Sequence, residues 1–155
     1  MRRRRAPKRE VVSDPKYNSE ILSHFINIIM CDGKKSIAQR IIYEALDVVG
    51  KRTKDDALKV FFDALENARP RLQVKPRRIG GATYQVPVEV SKQRGISIAL
   101  RWMRDFARNK KGKPMSLKLA DEIISAYKNE GSVIKKKEDT HKMAEANRAF
   151  AHFRF

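Results

Sequence analysis

Apolar residues along the first seventy positions recur at helical spacing. Ile21, Leu22, Phe25, Ile28 and Ile29 share one face, which predicts a helix after the Ser13-Asp14-Pro15 turn, capped by Asn18 or Ser19 and stopped by Gly33. Lys34-Lys35-Ser36 then opens a second helix with Ile37, Ile41, Ala45, Val48 and Val49 inward. A third, over residues 55–69, places Ala57, Val60, Phe61, Ala64, Leu65 and Ala68 on one face and ends at Pro70.

Beyond Pro70 the period changes. Leu72 to Ile79 and Thr83 to Val90 are rich in β-branched residues, with Gly80-Gly81 between them, so they predict a hairpin. Pro87 donates no ladder hydrogen bond and makes its strand an edge. Two strands alone are marginal in water, so the base of this ribbon must lean on helices while its tip stands free. The helical period returns from Ser91 to Arg108, with Ile96, Ala99, Leu100, Met103, Phe106 and Ala107 inward and Trp102 flanking. A fifth helix, capped near Ser116, buries Leu119, Ala120, Ile123, Ile124 and Tyr127 and stops at Gly131. A sixth runs from Ser132 to about Arg148. The expected fold is mainly α: six helices with a protruding two-stranded β-hairpin.

Composition adds the partner. The 155 residues suit one domain, and 41% hydrophobic residues suffice for a core. Lys and Arg number 35 against 18 Asp and Glu, a net charge of +17, so the chain attracts polyanions. Nucleic acid leads, ahead of an anionic membrane surface or an acidic protein. The absence of an eighteen-residue apolar run excludes a transmembrane helix. The single cysteine, Cys31, excludes an internal disulfide and a cysteine-cluster zinc site, and fits a reducing compartment. The first ten residues lack the apolar stretch of a secretory signal.

The charge is unevenly placed. Arg2, Arg3, Arg4, Arg5, Lys8 and Arg9 face one acid, Glu10, and predict a flexible basic arm over residues 1–12 ahead of a domain over 13–155. Residues 44–67 carry a net charge of −2, whereas no acid occurs between Glu66 and Glu89. That acid-free stretch holds Arg69, Arg71, Lys75, Arg77 and Arg78. Protecting an edge strand from aggregation needs one or two lysines, so five bases, four of them arginine, point to phosphate contact. Residues 92–113 add eight bases against Asp105, among them Lys92, Arg94, Arg101, Arg108, Lys110, Lys111 and Lys113. Lys34 and Lys35 oppose the dipole of the helix they open, which suggests a role beyond the fold.

Catalysis finds little support. Glu138, Asp139 and His141 lack the second histidine of a zincin and lie among lysines, so a solvated helix face accounts for them. His24 reads as structural, Cys31 as a small buried hydrophobe, and His152 as a ring that stacks on RNA or packs. Gly80-Gly81 and Gly33-Lys34-Lys35-Ser36 both fall short of a phosphate loop. No metal site and no cofactor are expected. Zinc-finger spacing, a heptad zipper and an aromatic RNA-recognition pattern are all missing, which favours a binder that reads RNA shape and phosphates. A free regulatory nucleic-acid binder and a basic nuclease are the rival classes.

The strings carry a family likeness. Gly80-Gly81-Ala82-Thr83-Tyr84-Gln85-Val86-Pro87-Val88-Glu89-Val90 resembles the small-subunit ribosomal protein seven family, bacterial type. So do Asp14 to Glu20, Gly33-Lys34-Lys35-Ser36 and Lys142 to His152, in order along the chain. The resemblance implies a non-enzymatic constituent of the cytoplasmic ribosome that binds the 3′ major domain of small-subunit ribosomal RNA. It implies nucleation of head assembly and a place near the exit site, beside transfer RNA, messenger RNA and small-subunit proteins nine and eleven. Carried over by position, the ribosomal-RNA surface takes in the arm bases, Lys34, Lys35, Lys75, Arg77, Arg78 and the loop from Lys110 to Met115. Gly80, Gly81, Lys142, Arg148 and His152 become exit-site candidates.

Overall fold

A computed structural model describes residue 6 and residues 11–153. Helix α1 (Glu20–Ile29) starts where the Ser19 hydroxyl accepts the Leu22 N–H at 3.4 Å. It ends at Ile29, ahead of Gly33, because Arg104 and Arg108 of a later helix take up its final carbonyls: they donate to Ile28 O at 3.4 Å and Ile29 O at 3.2 Å. Helices α2 (Lys35–Thr53) and α3 (Ala57–Ala68) follow, and Asp56 caps α3 by accepting the Leu58 N–H at 3.1 Å. The buried stripe of α2 is Ala38, Ile42, Ala45, Leu46 and Val49. It is rotated from the expected one: the doublets Ile41-Ile42 and Val48-Val49 fit two registers, and packing selects the one that leaves Ile37 51% exposed.

Strands β1 (Leu72–Ile79) and β2 (Ala82–Glu89) pair antiparallel, from Leu72 opposite Glu89 to Ile79 opposite Ala82. Gly80 and Gly81 join them at φ +57° and +90°, the positive pair that a two-residue hairpin turn demands. Helix α4 (Lys92–Asn109) buries Ala99, Leu100, Met103 and Ala107. Near its start, a Cβ on Gly95 would lie 2.8 Å from Arg69 Cγ and 3.1 Å from the Pro70 carbonyl oxygen, so glycine lets this helix touch the chain entering the hairpin.

Helix α5 (Met115–Tyr127) packs against α2, α3 and α4 and against α6 (Gly131–Ala146). Pro114, not Ser116, stands at its N-cap; Ser116 is buried inside the helix. Gly131 does not stop α5, which ends at Tyr127 with Asn129 in the left-handed region; instead it opens α6. The sixth helix breaks at Asn147 and continues as a 3₁₀ segment over Arg148–Phe153. At the centre of the core, Phe25 and Phe61 stack at a centroid distance of 5.7 Å.

The chain is fastened to this core at Asp14, only 2% exposed. One carboxylate oxygen accepts the N–H groups of Lys16 and Tyr17 at 3.1 and 3.0 Å, and the other accepts the Tyr43 hydroxyl at 2.6 Å. Burial and the Asp14 carboxylate push the Tyr43 pKa from 10.0 up to about 12. We expect Tyr43→Phe to cost about 1–2 kcal/mol at neutral pH, since a buried carboxylate loses a donor. Folding raises this pKa, so the bond's contribution is full below pH 10.0 and is lost as pH rises through about 12. Urea titrations of both proteins should therefore converge across that window; a constant gap would show that the hydroxyl does no such work.

Candidate nucleic-acid interface

The hairpin stem presents bases on both faces. Side chains alternate along β1, so Lys75 and Arg77 share the face of their cross-strand partners Val86 and Tyr84, while Arg78 takes the opposite face with Thr83. All three bases are exposed, as is Arg71 at the entrance to the ribbon. The Arg71 backbone N–H donates to His141 Nε2 at 3.0 Å. Burial, Lys137 and Arg71 lower the His141 pKa, which keeps the ring neutral and able to accept that bond. His141 is thus occupied in joining α6 to the ribbon. Gly80 and Gly81 at the tip are exposed, and an added Cβ at either would meet nothing within 4 Å.

The terminal segment lies along β2. The Tyr84 ring is 5.1 Å from Phe150 and 5.9 Å from Phe153 between centroids, and His152 sits 3.9 Å from Phe153. His152 is exposed, and its Nδ1 lies 2.9 Å from the Ala149 carbonyl oxygen. The contact brings Arg148 and His152 beside the ribbon that carries Gly80 and Gly81, and Lys142 is exposed six residues before Arg148, on α6. This aromatic cluster went unread, although Tyr84 among the valines of β2 and the rings at 150, 152 and 153 were its signal.

The remaining bases fall into two groups. Lys34, Lys35, Lys75, Arg78, Lys92, Arg94, Arg101 and Lys111 are exposed and form no salt bridge among the described residues. Others are engaged within the fold. Arg69 forks onto Glu66 through Nε at 3.0–3.1 Å and through a guanidinium contact, and its side chain is only 17% exposed. Arg108 is held at the end of α1, with Cys31 Sγ 3.1 Å away. Lys110 meets the buried Glu122 at 2.6 Å, and Lys113 meets Asp121 at 3.1 Å. The two neighbouring carboxylates of α5 therefore hold down the α4–α5 loop at two points, and the sequence alone does not separate these lysines from the free ones.

Lys34 stands at the start of α2 with no side-chain cap there, and Met115 and Arg108 lie across a cleft from it. Cys31, expected to be buried, is exposed in the α1–α2 turn because α1 ends before reaching it. The arm bases Arg2, Arg3, Arg4, Arg5, Lys8 and Arg9 lie outside the described residues. No helix of the described residues is long and apolar enough to cross a membrane.

A model of the family Ribosomal protein S7p/S5e matches residues 1–148. The chain belongs to this family. Small ribosomal subunit protein uS7 of Thermotoga maritima is 59% identical to it over 155 residues, all of both chains. The protein of the same name from Fervidobacterium nodosum is 58% identical over the same span, and that of Acidithiobacillus ferrooxidans 53% over 154 residues, or 99% of each chain. The S7p/S5e family comprises structural, non-enzymatic components of the ribosome, so the chain is a structural protein of the small subunit and its polyanion is ribosomal RNA.

Proposed function

We propose that this S7p/S5e protein binds the 3′ major domain of small-subunit ribosomal RNA directly, nucleates assembly of the subunit head and lies near the exit site, where it meets transfer RNA and messenger RNA. Proteins nine and eleven of the small subunit are its neighbours in this reading. The observation that carries it is the acid-free run between Glu66 and Glu89, folded into a ribbon whose stem shows exposed bases on both faces. Such a ribbon neutralises phosphates without reading bases. By binding one RNA fold preferentially, the protein stabilises that fold and orders the head around it. The test is chemical protection of small-subunit ribosomal RNA by the purified protein, mapped along its length. Protection concentrated in the 3′ major domain is expected; protection scattered evenly, or none, would refute the assignment.

In this reading the ribbon divides its labour, the stem serving ribosomal RNA and the glycine tip approaching a second RNA closely. Replacing residues 78–83 with a short turn removes one base, Arg78, and keeps the Arg77–Tyr84 pair and so the contacts of Tyr84 with Phe150 and Phe153. Subunits should therefore incorporate the shortened protein normally, while retention of transfer RNA at the exit site or maintenance of reading frame changes. Failed incorporation would make the tip an assembly element. Unchanged retention and frame would leave Gly80 and Gly81 with turn geometry alone.

A further inference from the structure

Along the face that α6 turns to the rest of the molecule, Val133, Ile134, Thr140 and Ala144 are buried, and Lys137 and His141 are partly buried among them. An ammonium and an imidazole drawn out of water need partners. Both find them in one stretch of backbone. Lys137 Nζ donates to the Asn67 carbonyl oxygen at 2.6 Å, and His141 Nε2 accepts the Arg71 N–H at 3.0 Å. The two side chains are four residues apart on α6 and so lie one above the other. The two backbone groups they bind are also four residues apart, on the chain that leaves α3 for β1.

That chain is the root of the ribbon. Asn67 is fixed from a second side, its amide donating to the Ala126 and Tyr127 carbonyl oxygens at 3.2 Å each, where α5 ends. The Arg71 carbonyl oxygen accepts the Val90 N–H at 2.9 Å, next to the Leu72–Glu89 pair. Arg71 thus joins the ladder through one backbone group and α6 through the other. Helix α6 splints the root at 67 and 71, and between those points Gly95 lets α4 approach Arg69 and Pro70. The exposed bases of the stem stand beyond this root, so its orientation decides where they point.

We propose that Lys137 and His141 are positioning residues for RNA binding: they hold the ribbon root in the orientation that presents Lys75 and Arg78 to phosphates, and do not themselves touch RNA. The proposal rests on the RNA-binding reading above and adds to it the part of the fold that prepares the ribbon. Without the splint the RNA has to order the root as it binds, which lowers affinity while leaving every phosphate contact in place.

The His141 half of the splint needs a neutral ring, because imidazolium has no lone pair for the Arg71 N–H. Burial, Lys137 on the same helix and Arg71 on the root hold its pKa below the usual 6.5. Glu89 of β2 borders the same cleft as His141, as do Glu145 and Arg148. Glu66 of α3 and Lys92 of α4 lie within electrostatic reach of each other, and Glu66 within reach of Arg71. The bond is complete above about pH 6.5 and is lost as pH falls through the lower value of the folded protein.

The test is filter binding of the full chain to a transcript of the 3′ major domain, across pH and salt, with thermal melts of each variant. His141→Leu keeps the bulk and removes the acceptor. It should bind about fivefold more weakly at neutral pH, the effect of one lost hydrogen bond, with an unchanged slope of log affinity against log salt. His141→Gln offers an amide oxygen to the Arg71 N–H and should restore affinity. Lys137→Met should also weaken binding at unchanged slope, whereas a lysine on a phosphate contributes about 0.9 to that slope. From neutral pH down to about pH 5, the parent should lose affinity severalfold relative to His141→Gln. A histidine that met a phosphate would gain affinity as it charged, the opposite sign. If His141→Leu fails to fold, this pH comparison decides. Parental affinity in the folded His141→Leu, or identical pH responses of the parent and His141→Gln, would overturn the proposal by leaving the splint a structural role alone. A shallower slope in Lys137→Met, or a parent that gains affinity at low pH, would overturn it by placing these side chains on the RNA. Failure of the parent to bind the transcript at any salt would overturn the RNA-binding reading itself, a result distinct from all of these.

Discussion

Deleting residues 2–9 should leave the melting temperature unchanged and weaken RNA binding by orders of magnitude. The segment carries six bases and, apart from Ala6 and Pro7, nothing apolar. Among the described residues the first side chain tied into the fold is Asp14, which lies beyond the deletion and retains its bonds to Lys16, Tyr17 and Tyr43; Val11 and Val12, just before it, are exposed. Affinity is another matter. Each phosphate neutralised on a duplex contributes about 0.9 to the slope of log affinity against log salt. Losing six cations that each meet a phosphate makes that slope shallower by about five. The intact protein, with six to ten such contacts, should lose about a thousandfold or more in affinity between roughly 50 and 200 mM salt. Filter binding across that range, with thermal melts of both proteins, measures the two quantities. A lowered melting temperature would place the arm in the fold, and an unchanged slope would remove it from the RNA surface.

Element type was legible wherever one period dominated. The ribbon could be read nearly to the residue because β-branched alternation, two glycines and a proline all point one way there. The helices α3 and α4 were similarly plain, each having one apolar stripe. Legibility failed where two physical options tied. In α2 the adjacent pairs Ile41-Ile42 and Val48-Val49 support two faces a turn-step apart, and only contact with α5 and α3 chooses between them. At the helix ends the sequence offers the right residue types, but tertiary contact decides: α1 stops early because arginines seventy-odd positions away take its carbonyls. Gly131 reads as a stop, yet its positive φ serves the start of the next helix. The candidate surface divides the same way. That bases gather in the ribbon and the α4–α5 loop is plain from charge counting, whereas which of them are already paired depends on Glu66, Asp121 and Glu122 arriving from other turns and helices.

That pairing makes identical substitutions report on different things. Lys110→Ala removes the partner of Glu122, whose side chain is 2% exposed and whose second oxygen, Oε2, already lacks a hydrogen-bond partner among the described residues. The carboxylate is then buried without compensation, a loss of about 2–3 kcal/mol; this lies below the usual cost of breaking a buried pair because the Lys110 side chain is itself 40% exposed. Its effect on the salt slope should be small, since the ammonium already faces a carboxylate. Replacing Arg71, Lys75 and Arg78 together by alanine should do the reverse. These side chains are exposed and form no salt bridge among the described residues, so urea stability should stay within about 1 kcal/mol. The salt slope should become shallower by nearly three, with affinity for the 3′ major domain falling about a hundredfold or more at moderate salt. The two proteins, measured side by side in urea unfolding and in RNA titration, should exchange phenotypes. If Lys110→Ala instead binds RNA poorly with full stability, Glu122 is not what holds that lysine. If the triple variant binds like the parent, the ribbon is not the RNA-binding element and its acid-free charge requires another polyanion.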